Sequence, residues 1–151
     1  MLLENMWGSV VKFTRDIRNK VVLEYPDIDL QVHDFEANAN EAELPNSDLI
    51  GPTALTMVEV QPQLIEVTFA IGVTTYVNDK NLFRLRTILS RVFEEMRPEK
   101  KFVLYKAGTL DPQGFLVFTD GTMMAPMSRA ETRPWQYVQA SALLDPKASY
   151  S

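Results

Sequence analysis

Residues 63–98, QLIEVTFAIGVTTYVNDKNLFRLRTILSRVFEEMRP, decide the fold, because a strand pattern gives way to a helix pattern inside them. The odd positions Ile65, Val67, Phe69, Ile71 and Val73 are apolar, and Glu66, Thr68, Ala70, Gly72 and Thr74 alternate with them. Such a period of two marks a strand with one buried face. Past the turn signal Val77-Asn78-Asp79-Lys80, the apolar residues become Leu82, Leu85, Leu89, Val92 and Met96, widened by Ile88 and Phe93. That spacing is helical, and Pro98 closes the helix because the residue before a proline avoids the helical region. A long strand feeding an amphipathic helix that lies back across its apolar face makes half of a two-layer α+β domain.

Upstream, Leu3, Met6, Trp7, Val10, Phe13, Ile17 and Val21 recur three or four apart and predict a first helix over residues 2–22. Gly8 inside it costs up to about 1 kcal/mol relative to alanine, which points to a close backbone approach there. Leu30, Val32 and Phe35 suggest a short strand. Residues 36–52, rich in Asn, Ala, acid and proline, show neither period and predict a long loop that is functional, mobile or ordered by a partner. Residues 55–60 read as a strand turned by Gln61-Pro62-Gln63 into an antiparallel hairpin with the long strand. Residues 101–107 and 114–119 predict a second hairpin. Residues 122–131 carry Met123, Met124, Pro126 and Met127 without a period, residues 135–144 form a last strand with Pro134 at an edge or boundary, and residues 145–151 form a frayed tail. The expectation is one α+β domain over residues 1–151, with a mostly antiparallel or mixed sheet of five to six strands and two helices packed on one face.

At 151 residues and 17.2 kDa the chain buries a core without staples. It has no cysteine, which removes thiol catalysis, thiolate zinc sites and disulfides and suits a reducing compartment. With 15 Lys and Arg against 20 Asp and Glu, the net charge of −5 disfavours broad phosphate binding. No apolar run reaches the roughly 20 residues of a membrane span, and the start lacks signal-peptide character, so a soluble, intracellularly made protein without a membrane partner is expected.

Catalytic, metal and cofactor motifs are absent from the pattern. His33, the single histidine, lies near Asp34, Glu36, Glu41 and Glu43, an arrangement compatible with a metal or acid–base site but ordinary for a surface histidine. Asp111-Pro112-Gln113-Gly114 and Asp120-Gly121-Thr122 are turns without phosphate-loop spacing. Arg84, Arg86, Arg91 and Arg97 give the second helix a basic strip. Its ordinary reading is a solvated face with an Arg91–Glu95 pair; in an assembly, Arg84 and Arg91 would meet a neighbour's acids. Met123, Met124, Met127, Arg133 and Trp135 are the candidate subunit interface, since methionine, arginine and aromatics are enriched in interface cores, with burial in the domain's own core as the other reading. On the interface reading, Trp135→Ala weakens assembly more than folding.

The order of elements, the loop over residues 37–52, the helix over residues 81–96 and the ending Glu131-Thr132-Arg133-Pro134-Trp135-Gln136-Tyr137-Val138 resemble the tail terminator or neck proteins of long-tailed bacteriophages. The resemblance implies a non-enzymatic virion protein, assembled in the host cytoplasm and sited at the tail neck. It would form a hexameric ring that caps the tail tube, meets head connector proteins and lets DNA pass without specific binding. Other phage head–tail connector or tail completion proteins share the layout. A small ligand-binding or enzymatic domain with a pocket at His33, or a bacterial adaptor, is the alternative of a different class.

Overall fold

The computed structural model describes residues 2–36, 44–62, 64–130 and 133–145. In chain order its elements are α1 (Leu2–Glu24), β1 (Leu30–Val32), β2 (Asp48–Gln61), β3 (Leu64–Thr74), α2 (Phe83–Glu95), β4 (Lys101–Tyr105), β5 (Pro112–Phe118), β6 (Met123–Met124), β7 (Ser128–Ala130) and β8 (Arg133–Asp145). The fold is α+β, and the strands form one mixed sheet in the order β1-β2-β3-β8-β5-β4, with β6 and β7 also paired to β8. β1 runs parallel to β2, and every other pairing is antiparallel.

The odd residues of β3 face the helices as expected, but the single buried face is not kept, since residues 69–74 are buried on both sides. Val67, Phe69, Ile71 and Val73 point into one cluster with Met6, Val10, Phe13, Ile17 and Val21 of α1 and with Leu85, Ile88, Leu89 and Val92 of α2. At its centre Phe13 stacks on Phe102 at 4.9 Å and meets Phe69 edge-on at 6.3 Å, with Phe118 closing the group. Each fully buried aromatic or branched side chain here stabilises the fold by about 1.5–3 kcal/mol relative to exposure.

Between β3 and α2 the chain reverses through left-handed residues Asn78, Asn81 and Leu82, with a 3-10 turn at Lys80–Leu82. Asp79 holds the reversal: its carboxylate accepts the backbone N–H groups of Arg84 and Leu85 and the hydroxyl of Thr75. Those two amides belong to the first turn of α2, where no helical carbonyl can reach them. The helix therefore begins at Phe83, two residues after the expected start.

Three further expectations need correction. The sheet has eight strands where five to six were expected, because the aperiodic residues 122–131 contain β6 and β7, which are held to β8 by backbone hydrogen bonding that no hydrophobic period announces. The loop expected over residues 36–52 is shorter: β2 already starts at Asp48, and residues 48–52 are all buried, so they lack the one-sided alternation that reveals a half-exposed strand. Residues 37–43 of that loop, residues 131–132 of the ending and residues 146–151 of the tail lie outside the described residues. The boundary expected at Pro134 is realised, since it is the second residue of β8, a strand paired on both sides. Among the described residues Gly8 has nothing within 4 Å of the position a Cβ would take, so none of them makes the close approach expected there.

Candidate functional site

β8 organises the candidate surface. On one side it pairs with β3 from Thr74↔Trp135 to Ile65↔Leu144. On the other it meets β7, β6 and β5 in succession, at Ser128↔Trp135, Met123↔Gln139 and Phe118↔Ala142. The methionine segment is thus laid along β8 by backbone pairing. It is also pinned by Ala125 N–H donating to the Tyr137 carbonyl at 2.8 Å, by Gln136 Nε2 donating to the Ala125 carbonyl at 2.9 Å and by Thr122 Oγ1 donating to the Met96 carbonyl at 2.7 Å. Because main-chain and polar groups hold it, its thioethers stay outside: Met123, Met124 and Met127 are 52%, 37% and 38% exposed.

Arg133 and Trp135 stand differently. Trp135, 7% exposed, packs with Phe35, Leu44 and Leu49 in a second cluster bordered by Tyr137, its ring 5.1 Å from Phe35 and edge-on to it. Arg133, 4% exposed, donates to the carbonyls of Pro45, Ser47 and Thr75 and lies over the Tyr76 ring. Both side chains are spent inside the chain that carries them. Trp135→Ala consequently acts on folding first, which reverses the order expected from the sequence.

The helix arginines are also engaged within the chain. Arg84 Nε donates to Asp48 Oδ2 at 2.8 Å, and its Nη groups donate to the carbonyls of Tyr76 and Asn78. Asp48 Oδ1 accepts Tyr76 N–H at 2.8 Å, so one buried carboxylate ties β2, the end of β3 and α2 together. The hydrogen bond to Asp48 raises the Arg84 pKa above its ordinary value. Arg91 reaches Glu24 of α1 at 2.6 Å and Glu95 at 3.9 Å, while Lys20 pairs with Glu95 at 3.0 Å. These exposed pairs stitch the two helices together and contribute little each.

His33 is half-buried against the Phe35 ring, and no group of three or more His, Asp or Glu able to hold a metal occurs among the described residues. Burial pushes the Tyr137 phenol above its ordinary 10.0. Three buried polar atoms, Ser47 Oγ, Thr74 Oγ1 and Trp135 Nε1, have no hydrogen-bond partner among the described residues. Of the seven predicted interface residues, only the three methionines present apolar surface outward.

Sequence reasoning missed a second surface. Between the C-terminal end of α1 and the start of α2 lies an open groove of about 1040 Å3, whose lining includes Tyr25, Lys80, Phe83, Arg86, Arg91 and Glu94. Phe83 is 61% exposed there. Its position outside the buried stripe of α2 was a readable signal, since Leu85, Ile88, Leu89 and Val92 already define the inward side.

The class defined by this geometry is an α+β domain with helices on one face of a mixed sheet and an exposed thioether strip. No family model matches the chain, and no curated protein matches it. One solved structure is similar over 88% of this chain and 90% of its own, at 8% sequence identity and a TM-score of 0.49. At that distance the likeness carries no argument about fold detail or function.

Proposed function

We propose that this chain is a ring-forming structural subunit of the phage tail terminator, or neck, type. The observation that carries the reading is the methionine strip: three adaptable apolar side chains held outward on a segment whose backbone is fixed. Such a strip is suited to contact with another protein subunit. The order of elements around it, with a first helix, the β2–β3 hairpin, α2 and closing strands on one sheet, is the layout that the resemblance calls for. In this role the ring caps the tail tube by shape and meets the head connector. Its net negative charge lets DNA pass through the lumen without being gripped. Function then resides in surfaces and closure, with no reaction to catalyse.

The test is the absolute mass of the protein across a concentration series, by native mass spectrometry or light scattering, with and without purified tail tubes. The expected result is a hexamer, or a monomer converted to a ring by the tubes. A monomer or dimer that ignores the tubes overturns the reading.

A further inference from the structure

The charges of this chain are segregated. Between Lys20 and Lys80 there is no lysine or arginine, yet that stretch holds more than half of the 20 acids, whereas Lys80, Arg84, Arg86, Arg91, Arg97, Lys100 and Lys101 crowd the stretch around α2. The fold turns this division of sequence into a division of surface. Part of the acidic stretch lies in and beside β1 and β2 at one border of the sheet, where Asp34, Glu36 and Glu59 are exposed. Glu36 is fixed on that border, because its Oε1 accepts the N–H of Ala54 at 2.7 Å. The described pairing of β1 with β2 runs from Asp48 to Ile50, and further along β2 Glu36 and Glu59 are exposed.

The groove between α1 and α2 is mixed in charge, with Arg91 paired to Glu24 and Glu94 paired to Arg97, and its basic end is formed by Lys80 and Arg86. Lys80 and Arg86 are exposed on it, and Phe83 and Tyr25 supply apolar ring surface beside them. Aromatic rings combined with arginine are the composition of an interface core. None of Asp34, Glu36 or Glu59 lines the groove, so the two surfaces are separate within a copy.

We infer that the groove between α1 and α2 receives the acidic β1–β2 border of a second copy of this chain. The two surfaces are different, so the contact is head-to-tail, the type that closes into a ring when the rotation allows it. Opposite charge steers the approach and sets the register, while Phe83 and Tyr25 provide the apolar burial. A second copy is preferred to a phosphate backbone because every copy carries the acidic border at the concentration of the groove itself, and because ring surface beside the cations suits a protein partner. The inference rests on the ring reading for the identity of the partner and adds which surfaces meet.

The experiment compares three forms of the full chain by native mass and light scattering: wild type, Lys80→Glu/Arg86→Glu, and Asp34→Lys/Glu59→Lys. Thermal unfolding first confirms that each variant folds. Glu36→Gln/Glu59→Lys serves as a second border variant that keeps an acceptor for Ala54 N–H. Each reversal alone is expected to weaken association at least about tenfold and to remove its salt dependence. An equimolar mixture of the groove and border variants restores association, because every acidic groove then meets a basic border and every basic groove an acidic one. Rings that form regardless of the reversals, or a mixture that fails to recover, overturn the inference and leave the ring reading standing. Association that follows the charge rule but stops at a dimer or grows into open filaments upholds the inference and overturns the ring. A wild-type chain that stays monomeric while its groove binds a single-stranded oligonucleotide overturns the inference.

Discussion

On the helix side of the sheet, Val67, Phe69, Ile71 and Val73 lie fully buried beneath α1 and α2, whereas on the opposite side the cover that the described residues supply is Phe35, Leu44, Trp135 and Tyr137 at the end near Thr74. The first face is closed by whole elements whose apolar stripes match it in length. The second is closed by a few large rings lowered onto small residues: a Cβ at Gly72 would meet the Tyr137 ring at 2.7 Å, and one at Gly51 would strike the His33 carbonyl and the Phe35 ring. Further along that face Thr68 and Ser141 join hydroxyls at 2.7 Å, half-buried. One face thus follows a repeating pattern, and the other depends on individual pairings of ring and glycine.

Truncating each face in turn separates their contributions. Phe69→Ala, at the centre of the aromatic group, is expected to cost about 3–5 kcal/mol in denaturant unfolding. A loss below about 1 kcal/mol would mean that the helix layer is not the main core. Trp135→Ala should cost about 3 kcal/mol, because the ring is buried but its cluster is small. If that variant kept its unfolding midpoint and lost only its oligomer, Trp135 would belong to an interface after all.

A gain in stability sharpens the same comparison. Thr74 Oγ1 is buried without a partner among the described residues, so Thr74→Val should stabilise the fold by about 1 kcal/mol by removing an unsatisfied hydroxyl. Destabilisation would instead reveal a bound water bridging the hydroxyl. Alkaline titration probes Tyr137, whose raised pKa means that the unfolded chain ionises first. Stability is therefore fully present below the ordinary 10.0 and falls as pH rises through that value towards the folded pKa, and Tyr137→Phe should flatten part of this decline. The smallest effect on folding belongs to Met123→Ser/Met124→Ser, within about 0.5 kcal/mol, since both side chains are exposed. The same variant should weaken association in light scattering, and unchanged association would remove the methionine strip from the interface.

Much of the architecture was legible in the residues. The period of two in β3, the helical stripes of α1 and α2, both hairpins and the last strand depend on patterns that each segment carries by itself. The candidate site was less legible. Met123, Met124 and Met127 lie outside as their interface reading required, but Arg133 and Trp135 are of the same residue classes and are buried. Composition alone does not distinguish an aromatic reserved for a partner from one that, like Trp135, packs on Phe35, Leu44 and Leu49 of its own chain. The arginines show the same limit: the strip on α2 was visible, while the engagement of Arg84 with Asp48, 36 residues earlier in the chain, was not.

The sequence by itself determined the α+β class, the inward sides of both helices and of β3, and the segregation of charge, because periodicity and charge order are local properties of the chain. Only the tertiary structure decided that residues 48–52 join the sheet, that β6 and β7 pair with β8, and which of the predicted interface residues face outward. Those outcomes depend on backbone hydrogen bonds and ring contacts between distant segments, whose partners the local pattern does not name.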